Sequence, residues 1–317
     1  MSKTAVVLMN LGGPDSAEAV EPFLYNLFSD PAIIALPNPL RWLIAKLIAR
    51  RRAPIARQIY AKIGNVSPLL PNTQEQGAAL ERALGGAAKI FIAMRYWPPR
   101  AATTAAAVRD WGPDEVVLLP LYPQYSSTTT ASSIEDWRRA AAAAGLTAPT
   151  RALCCFPTEA GFIAALAAGI RHALEVWPKD SAPPRVLLSA HGLPKRVIAR
   201  GDPYQEQVEQ TAARLRAALA RPGLDVVVCY QSRVGPLQWL EPATDAEIRR
   251  AGKDGVGLVV APIAFVSEHS ETLVELDMDY ARVAEQACVR LYRRVPTVGT
   301  QPAFVAGLAG LVRAAAG

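Results

Sequence analysis

The sequence predicts an α/β protein of two doubly wound domains with parallel sheets, and three observations carry that prediction. Short apolar, β-branched runs alternate with helix-length patterns along the whole chain. The runs are continuous rather than alternating in polarity, as parallel strands covered on both faces require. The same rhythm then comes twice, with strands ending in Pro- or Gly-containing turns. These are Asn10-Leu11-Gly12-Gly13-Pro14 and Leu119-Pro120-Leu121-Tyr122-Pro123 in the first half, His191-Gly192-Leu193-Pro194 and Ala261-Pro262 in the second. At 317 residues the chain suits two domains, each able to bury a core of its own.

Taken in order, the expected strands are Thr4 to Asn10, Lys89 to Met94, Glu115 to Leu119, Arg185 to Ser189, Asp225 to Cys229 and Gly257 to Ala261. Helical patterns lie between them at Ala17 to Phe28, Thr73 to Leu84, Ala101 to Trp111, Ser132 to Ala144, Glu159 to Trp177 and Tyr204 to Ala220. That succession implies βαβ units. The domain change is placed near Arg151 to Thr158, giving a first domain over residues 1–152 and a second over 153–298. A last helix within 299–317 is expected to pack back on the first domain. A small-molecule site is expected in the cleft between the domains.

Composition narrows the class. Apolar residues make up 51% and charged ones 20%, as in a water-soluble globular protein, and the net charge of +6 favours anionic partners only weakly. No nucleic-acid-reading motif accompanies it, so nucleic acid is not an expected partner. The N-terminal apolar run is strand-length and has no small-residue cleavage site, and no stretch reaches membrane-spanning length. A cytoplasmic location is expected. Cys154, Cys155, Cys229 and Cys288 form no Cys-x-x-Cys pair and read as buried reduced thiols.

Leu40, Leu43, Ile44, Leu47 and Ile48 fall on one stripe of a helix. Pro39 suits its first turn, and Arg50-Arg51-Arg52 close its end. This stripe is either an ordinary core-facing helix or, with Trp42 and Lys46, a lip over residues 36–52 that dips into a bilayer.

Chemistry concentrates at two strand ends. Ser189-Ala190-His191-Gly192-Leu193-Pro194 follows an apolar run and places an imidazole at a strand's carboxyl end, where open α/β sheets bind ligands. A single strand-end histidine is usually structural. Here Phe265-Val266-Ser267-Glu268-His269-Ser270-Glu271 follows a second run in the same domain. Glu268, Glu271, Glu275 and Asp279 are spaced three, four and four apart, one acidic row on a helix. His172 lies in a helical pattern and reads as structural, and Gly12-Gly13-Pro14 lacks the spacing of a phosphate loop.

Seven ordered blocks resemble the ferrochelatases, which insert ferrous iron into a porphyrin. They are Asn10 to Pro14, Ile63 to Pro68, Met94-Arg95-Tyr96, Leu121 to Ser126, Ser189 to Pro194, Tyr230 to Leu240 and Phe265 to Leu273. The resemblance implies two Rossmann-like, chelatase-like domains with the porphyrin clamped between them. It implies that His191 and Glu271 face each other across the macrocycle centre as the catalytic pair. It sets Arg95, Tyr96, Tyr122, Ser67 and Trp239 around the ring, Leu11 over its face, and the 36–52 segment as a membrane-facing lip; beside this, Phe265 reads as a further apolar wall, and Glu268 and His269 as neighbours that orient the pair.

Insertion must desolvate Fe²⁺, remove two pyrrole protons and pucker the ring. A site complementary to the bent ring would lower that barrier. Neutral imidazole at His191 suits proton acceptance near neutral pH. The expected metal contacts are His191, Glu271, Glu275 and Asp279, an incomplete set that would release its ion. The sequence leaves open whether His191 first takes protons or holds iron; proton abstraction by His191, with Glu271 assisting, is the expected assignment. Iron is thus a substrate, and no prosthetic group is expected. Some ferrochelatases carry a [2Fe–2S] cluster on cysteines that include a C-terminal group; with no cysteine beyond Cys288, none is expected here. Soluble relatives using coproporphyrin often have tyrosine where this chain has Leu11. The expectation is therefore protoporphyrin IX, on a protein peripheral to the inner membrane and monomeric or weakly dimeric. The alternatives are insertion into coproporphyrin III or sirohydrochlorin, and a non-catalytic haem or iron carrier.

Overall fold

The computed structural model describes residues 3–86, 88–233 and 235–316. They form two compact units, one reaching to Cys155 and rejoined by the chain from Leu308, the other Phe156–Gly307. Each holds a four-stranded, all-parallel sheet.

In the first unit the strand order is β2 (Ala88–Met94), β1 (Thr4–Asn10), β3 (Glu115–Pro120), β4 (Thr150–Ala152). Every residue of β1 is buried, because helices cover both of its faces. Ala5, Val7 and Met9 meet Trp137 of α5 (Ser132–Ala144) and Val108 of α4 (Ala101–Trp111). On the other face α3 (Leu69–Ala83) comes so close that a methyl group on Gly77 would touch Ile90 and Leu8. The expected start of α3 at Thr73 falls four residues late. Pro71 is tolerated in the first turn, where backbone N–H groups have no intrahelical partner.

The second sheet repeats the order as β6 (Val226–Gln231), β5 (Arg185–His191), β7 (Leu258–Pro262), β8 (Tyr292–Arg294). Leu187, Cys229, Leu258 and Val260 pack against Ile248 and Ala251 of α9 (Thr244–Lys253) and Ala284 of α10 (Tyr280–Gln286). Helices α6 (Ala160–Glu175) and α8 (Tyr204–Leu219), the latter preceded by the single turn α7 (Lys195–Ile198), pack against each other and against strands β7 and β6 respectively. The three-residue edge strands β4 and β8 carry no apolar run, and the sequence does not announce them.

Three further expectations need correction. Helix α1 (Val20–Phe28) packs on α2, which runs over Leu40–Ala61, so the arginine run lies inside α2 instead of closing it. Arg52 stacks over the Phe28 ring at 5.7 Å, and Arg50 faces Glu21 at 3.8 Å. The buried face of α2 is Ala45, Ala49, Ala53 and Tyr60, while Leu40, Trp42, Leu43 and Leu47 are exposed, so the leucine stripe is not a core face. Of the cysteines, Cys229 is buried, Cys288 is exposed, and the adjacent Cys154 and Cys155 are paired through their sulfurs. Among the described residues no helix is long and apolar enough to cross a membrane.

Candidate active site

β5 and β7 are the central neighbours of the second sheet, with β6 outside the first and β8 outside the second. Connections from the two strands run to opposite edges, so a crevice opens at their carboxyl ends. His191 is the last residue of β5. Glu271 opens the π-helical segment Glu271–Asp279, which follows β7 and runs into α10. The topology therefore brings the two together.

Local chemistry fixes the histidine. Its carbonyl accepts from the Tyr204 phenol at 3.0 Å, and Gly192 N–H donates to the Gln231 carbonyl at 2.8 Å. A Cβ on residue 192 would lie 2.6 Å from that same oxygen, so glycine is what lets the chain turn here.

His191 Nδ1 donates to Glu271 Oε2 at 2.8 Å. With its proton on Nδ1, the neutral ring carries its lone pair on Nε2; the bond to the carboxylate assigns this tautomer. Burial pushes the imidazole's pKa down, but the Glu271 charge and hydrogen bond, with help from Glu275, more than reverse this and hold it above the ordinary value. For Glu271 burial opposes ionisation, yet His191, His269 and Ser232 together hold it down at about 2. Both side chains keep about a third of their surface open, 35% and 32%, so a substrate can reach them. The expectation that they face each other across a macrocycle is corrected: the two side chains are in direct contact, with no room for a ring between them.

Glu275, one turn on, belongs to the same network. Its Oε1 accepts from Ser232 N–H and the Tyr280 phenol, both at 2.9 Å. Its Oε2 accepts from Gln231 Nε2 at 3.2 Å and from Ser232 Oγ. Ser232 Oγ also lies 3.1 Å from Glu271 Oε2. One hydroxyl proton serves one carboxylate at a time, so Ser232 is a junction between the two. It reaches both from a left-handed backbone, φ 63°, uncommon for a residue with a side chain. Burial and the neighbouring Glu271 charge raise the Glu275 pKa against the pull of Ser232 and Tyr280. Neither Gln231, Ser232 nor Tyr280 was expected from its own residue type, though Gln231 and Ser232 stand in one of the quoted blocks.

His269 donates from Nδ1 to the Ser267 carbonyl at 3.1 Å, which turns Nε2 toward Glu271 Oε2, 3.9 Å away. Burial keeps this ring's pKa below the ordinary value despite Glu271. Phe265 packs between the imidazoles, its ring centre 4.5 Å from His269 and 6.3 Å from His191. Trp239 lies against the turn at Gly192, its backbone bridged to Pro194.

The four-member acidic row is corrected at its first member. Glu268 accepts from Arg294 Nη1 at 2.5 Å and Thr297 N–H at 2.9 Å, an ion pair on the β8 side that removes it from the row. Asp279 closes the π-helical segment, half-buried. Among the described residues no three His, Cys, Asp or Glu side chains are arranged to hold a metal ion together.

In the first unit, Leu11 follows the carboxyl end of β1, with Arg95 and Tyr96 just past β2 and Tyr122 just past β3. Arg95 and Tyr96 are buried around a carboxylate the sequence does not mark, Asp30. Its Oδ2 accepts from Arg95 Nη2 at 2.8 Å, from the Tyr96 phenol at 2.7 Å and from Ser132 Oγ. Burial opposes the charge, but Ser132 and Arg95 lead the groups that hold Asp30 below the usual carboxylate pKa. Arg95 thus spends its guanidinium within the unit. Tyr122 faces Ser133 at 3.5 Å, its pKa pushed by burial to about 12. Ser67 sits over Gly13, where a Cβ would lie 2.3 Å from its hydroxyl.

The sequence matches the ferrochelatase family over residues 3–316. It is 53% identical to a ferrochelatase of Caulobacter vibrioides over 322 residues, 99% of this chain and 91% of that one. It is 49% identical to a ferrochelatase of Wolbachia pipientis, covering 98% of both chains. Among solved structures it is similar to SirB from Bacillus subtilis with Fe³⁺, at TM-score 0.58 and 14% identity, covering 99% of this chain and 96% of that one. It is similar also to CbiX, the terminal enzyme for siroheme biosynthesis in denitrifying bacteria, at TM-score 0.53 and 19% identity over 99% of both chains. At such identities these two speak to the fold alone.

Proposed function

The chain belongs to the ferrochelatase family, metal chelatases of haem synthesis, and from that premise we propose that it is a lyase inserting ferrous iron into protoporphyrin IX. The observation that carries the reading is the His191–Glu271 contact at the carboxyl ends of β5 and β7. Nε2 of His191 is the base. It takes a pyrrole proton, and the resulting imidazolium is stabilised by the carboxylate on its other nitrogen. Glu271, the Ser232 hydroxyl and Glu275 continue from it as a chain of hydrogen bonds. Along it protons leave, or the hydrated cation is handed on. Glu271, Glu275 and Asp279, with His191, are the contacts offered to iron in succession, not as one ligand set, so the ferrous ion is passed on and not trapped.

Leu11 and Tyr122 at their strand ends, with Ser67, Trp239 and Phe265, are assigned to the porphyrin. Arg95 and Tyr96 contribute from behind, through the Asp30 network. The aliphatic Leu11 and the exposed leucines of α2 favour protoporphyrin IX and a peripheral attachment to the inner face of a membrane from the cytoplasmic side. Iron is treated as a substrate, and no prosthetic group, [2Fe–2S] cluster included, is assigned.

The test is zinc insertion into protoporphyrin IX followed by fluorescence, with coproporphyrin III in parallel. His191→Ala is expected to abolish insertion while porphyrin binding persists. Insertion by that variant at the unaltered rate would refute the assignment, and a preference for coproporphyrin III would move the substrate.

A further inference from the structure

We infer that Arg294 and Tyr292, from the edge strand β8, are positioning residues that set the register of the π-helical segment bearing Glu271 and Glu275. The inference rests on the reading that these carboxylates serve metal insertion. Residues i and i+2 of a strand share a face, and both side chains of this pair reach the segment. Arg294 grips Asp277 with two parallel bonds, Nε to Oδ1 at 2.6 Å and Nη2 to Oδ2 at 2.7 Å. Its third nitrogen holds Glu268, just before the segment begins. The Tyr292 phenol donates to the Leu276 carbonyl at 2.7 Å. Asp277 follows Glu275 by two residues, so it points away from the face that meets Ser232. The segment is therefore held from both sides, by Ser232 and Gln231 at the front and by β8 at the back.

A π-helical register needs such a hold. Its i→i+5 bonding is rare, and it persists where the surroundings over-determine it. Returning the segment to α-helical bonding would rotate Glu271 and Glu275 relative to His191 and Ser232. The grip is bidentate and shielded, with Arg294 11% exposed, so it fixes an angle as well as a charge. No atom of Arg294 or Tyr292 needs to touch porphyrin or metal for this.

The experiment compares Arg294→Ala and the milder Tyr292→Phe with the unaltered chain in zinc insertion. Porphyrin affinity is measured separately by fluorescence titration. The expected result for Arg294→Ala is a kcat lowered by about tenfold to a hundredfold, since displacements near 1 Å cost that much. Porphyrin affinity is expected to hold within about twofold, and Tyr292→Phe to show a smaller loss of the same kind. Methylguanidinium should restore part of the Arg294→Ala loss and none of the His191→Ala loss. Should Arg294→Ala fail to fold, Tyr292→Phe decides. Unchanged kcat in the folded variants, or a loss that tracks porphyrin affinity, overturns the inference while leaving the functional reading in place. An unaltered chain that inserts no zinc overturns both.

Discussion

His191 Nδ1 and Glu271 Oε2 stand 2.8 Å apart although 80 residues separate them in the chain. The carboxylate outweighs burial and raises the imidazole pKa. A base works in its unprotonated form, so the acid limb of metal insertion should lie above 6.5, the ordinary histidine value. In Glu271→Gln the main attraction is gone while burial remains, opposed only by the lesser pull of Glu275, and the limb should move to lower pH. The same sign governs stability. The raised His191 pKa contributes stability that is complete below 6.5 and fades as pH rises through the folded value. The depressed Glu271 pKa contributes above 4.5 and is lost as pH falls from there toward about 2. Rate against pH for the two proteins checks the first claim; superimposable profiles would sink it.

Ser232 tests the junction. Ser232→Ala leaves two neighbouring carboxylates without their shared donor, at a cost of about 1–3 kcal/mol. Insertion should slow, because the hydrogen-bond path from Glu271 to Glu275 is cut. Ser232→Gly removes the same hydroxyl but accepts the left-handed backbone freely, so it should be the more stable of the two at a similar rate. Urea midpoints with zinc-insertion rates read both. A Ser232→Ala rate equal to the unaltered one would remove the serine from the path.

What was legible in the sequence follows from which forces are local. Central strands such as Thr4–Asn10 and Arg185–His191 are apolar throughout because both faces are covered, and their patterns show it. β4 and β8 are edges of three residues with no such pattern. The pairing of His191 with the Glu271 segment was visible as two strand ends in one domain. Their contact on one side was not, since only the strand order puts β5 beside β7. The helix 271–286 reads as an acidic row, but its π register and the diversion of Glu268 come from Arg294, whose position is set by long-range pairing. Asp30 is invisible for the same reason: a carboxylate after a helix announces solvent unless its partners, Arg95, Tyr96 and Ser132, are already placed.

Asp30 therefore makes a sharp prediction about stability. Its side chain is 2% exposed and that of Arg95 9%, so Asp30→Ala strands a guanidinium in the interior. Breaking a buried pair by removing one partner costs about 3–5 kcal/mol. Asp136, 3.4 Å from Arg95 Nη1, recovers part of this and makes the lower end the expectation. Asp30→Asn, which still accepts from Ser132 and Tyr96, should lose less. Denaturant midpoints rank the three proteins, and an Asp30→Ala midpoint matching the unaltered one would show that the pair is not what holds this end of the sheet.

The exposed stripe of α2 supplies the last prediction. Ala45, Ala49 and Ala53 are buried, the last two against α1, while Leu40, Leu43 and Leu47 turn outward, 48%, 68% and 56% exposed, beside Trp42 at 51%. Under the proposed peripheral attachment, this outward apolar stripe is what enters the lipid surface. Lys46, Arg50 and Arg51 are exposed on the same helix, and that attachment would bring them to lipid phosphates. Full burial of a leucine is worth about 1.5–3 kcal/mol, so Leu43→Asp with Leu47→Asp should weaken binding to anionic vesicles by well over about tenfold. Added salt should weaken the unaltered protein's binding as well, because the cationic contribution is screened. Zinc insertion into detergent-dispersed protoporphyrin is expected to persist, since both leucines belong to the first unit and His191 and Glu271 to the second. Co-sedimentation with vesicles measures the first two outcomes. If the double variant pellets with vesicles as the unaltered protein does, the outward leucines serve something other than a lipid surface.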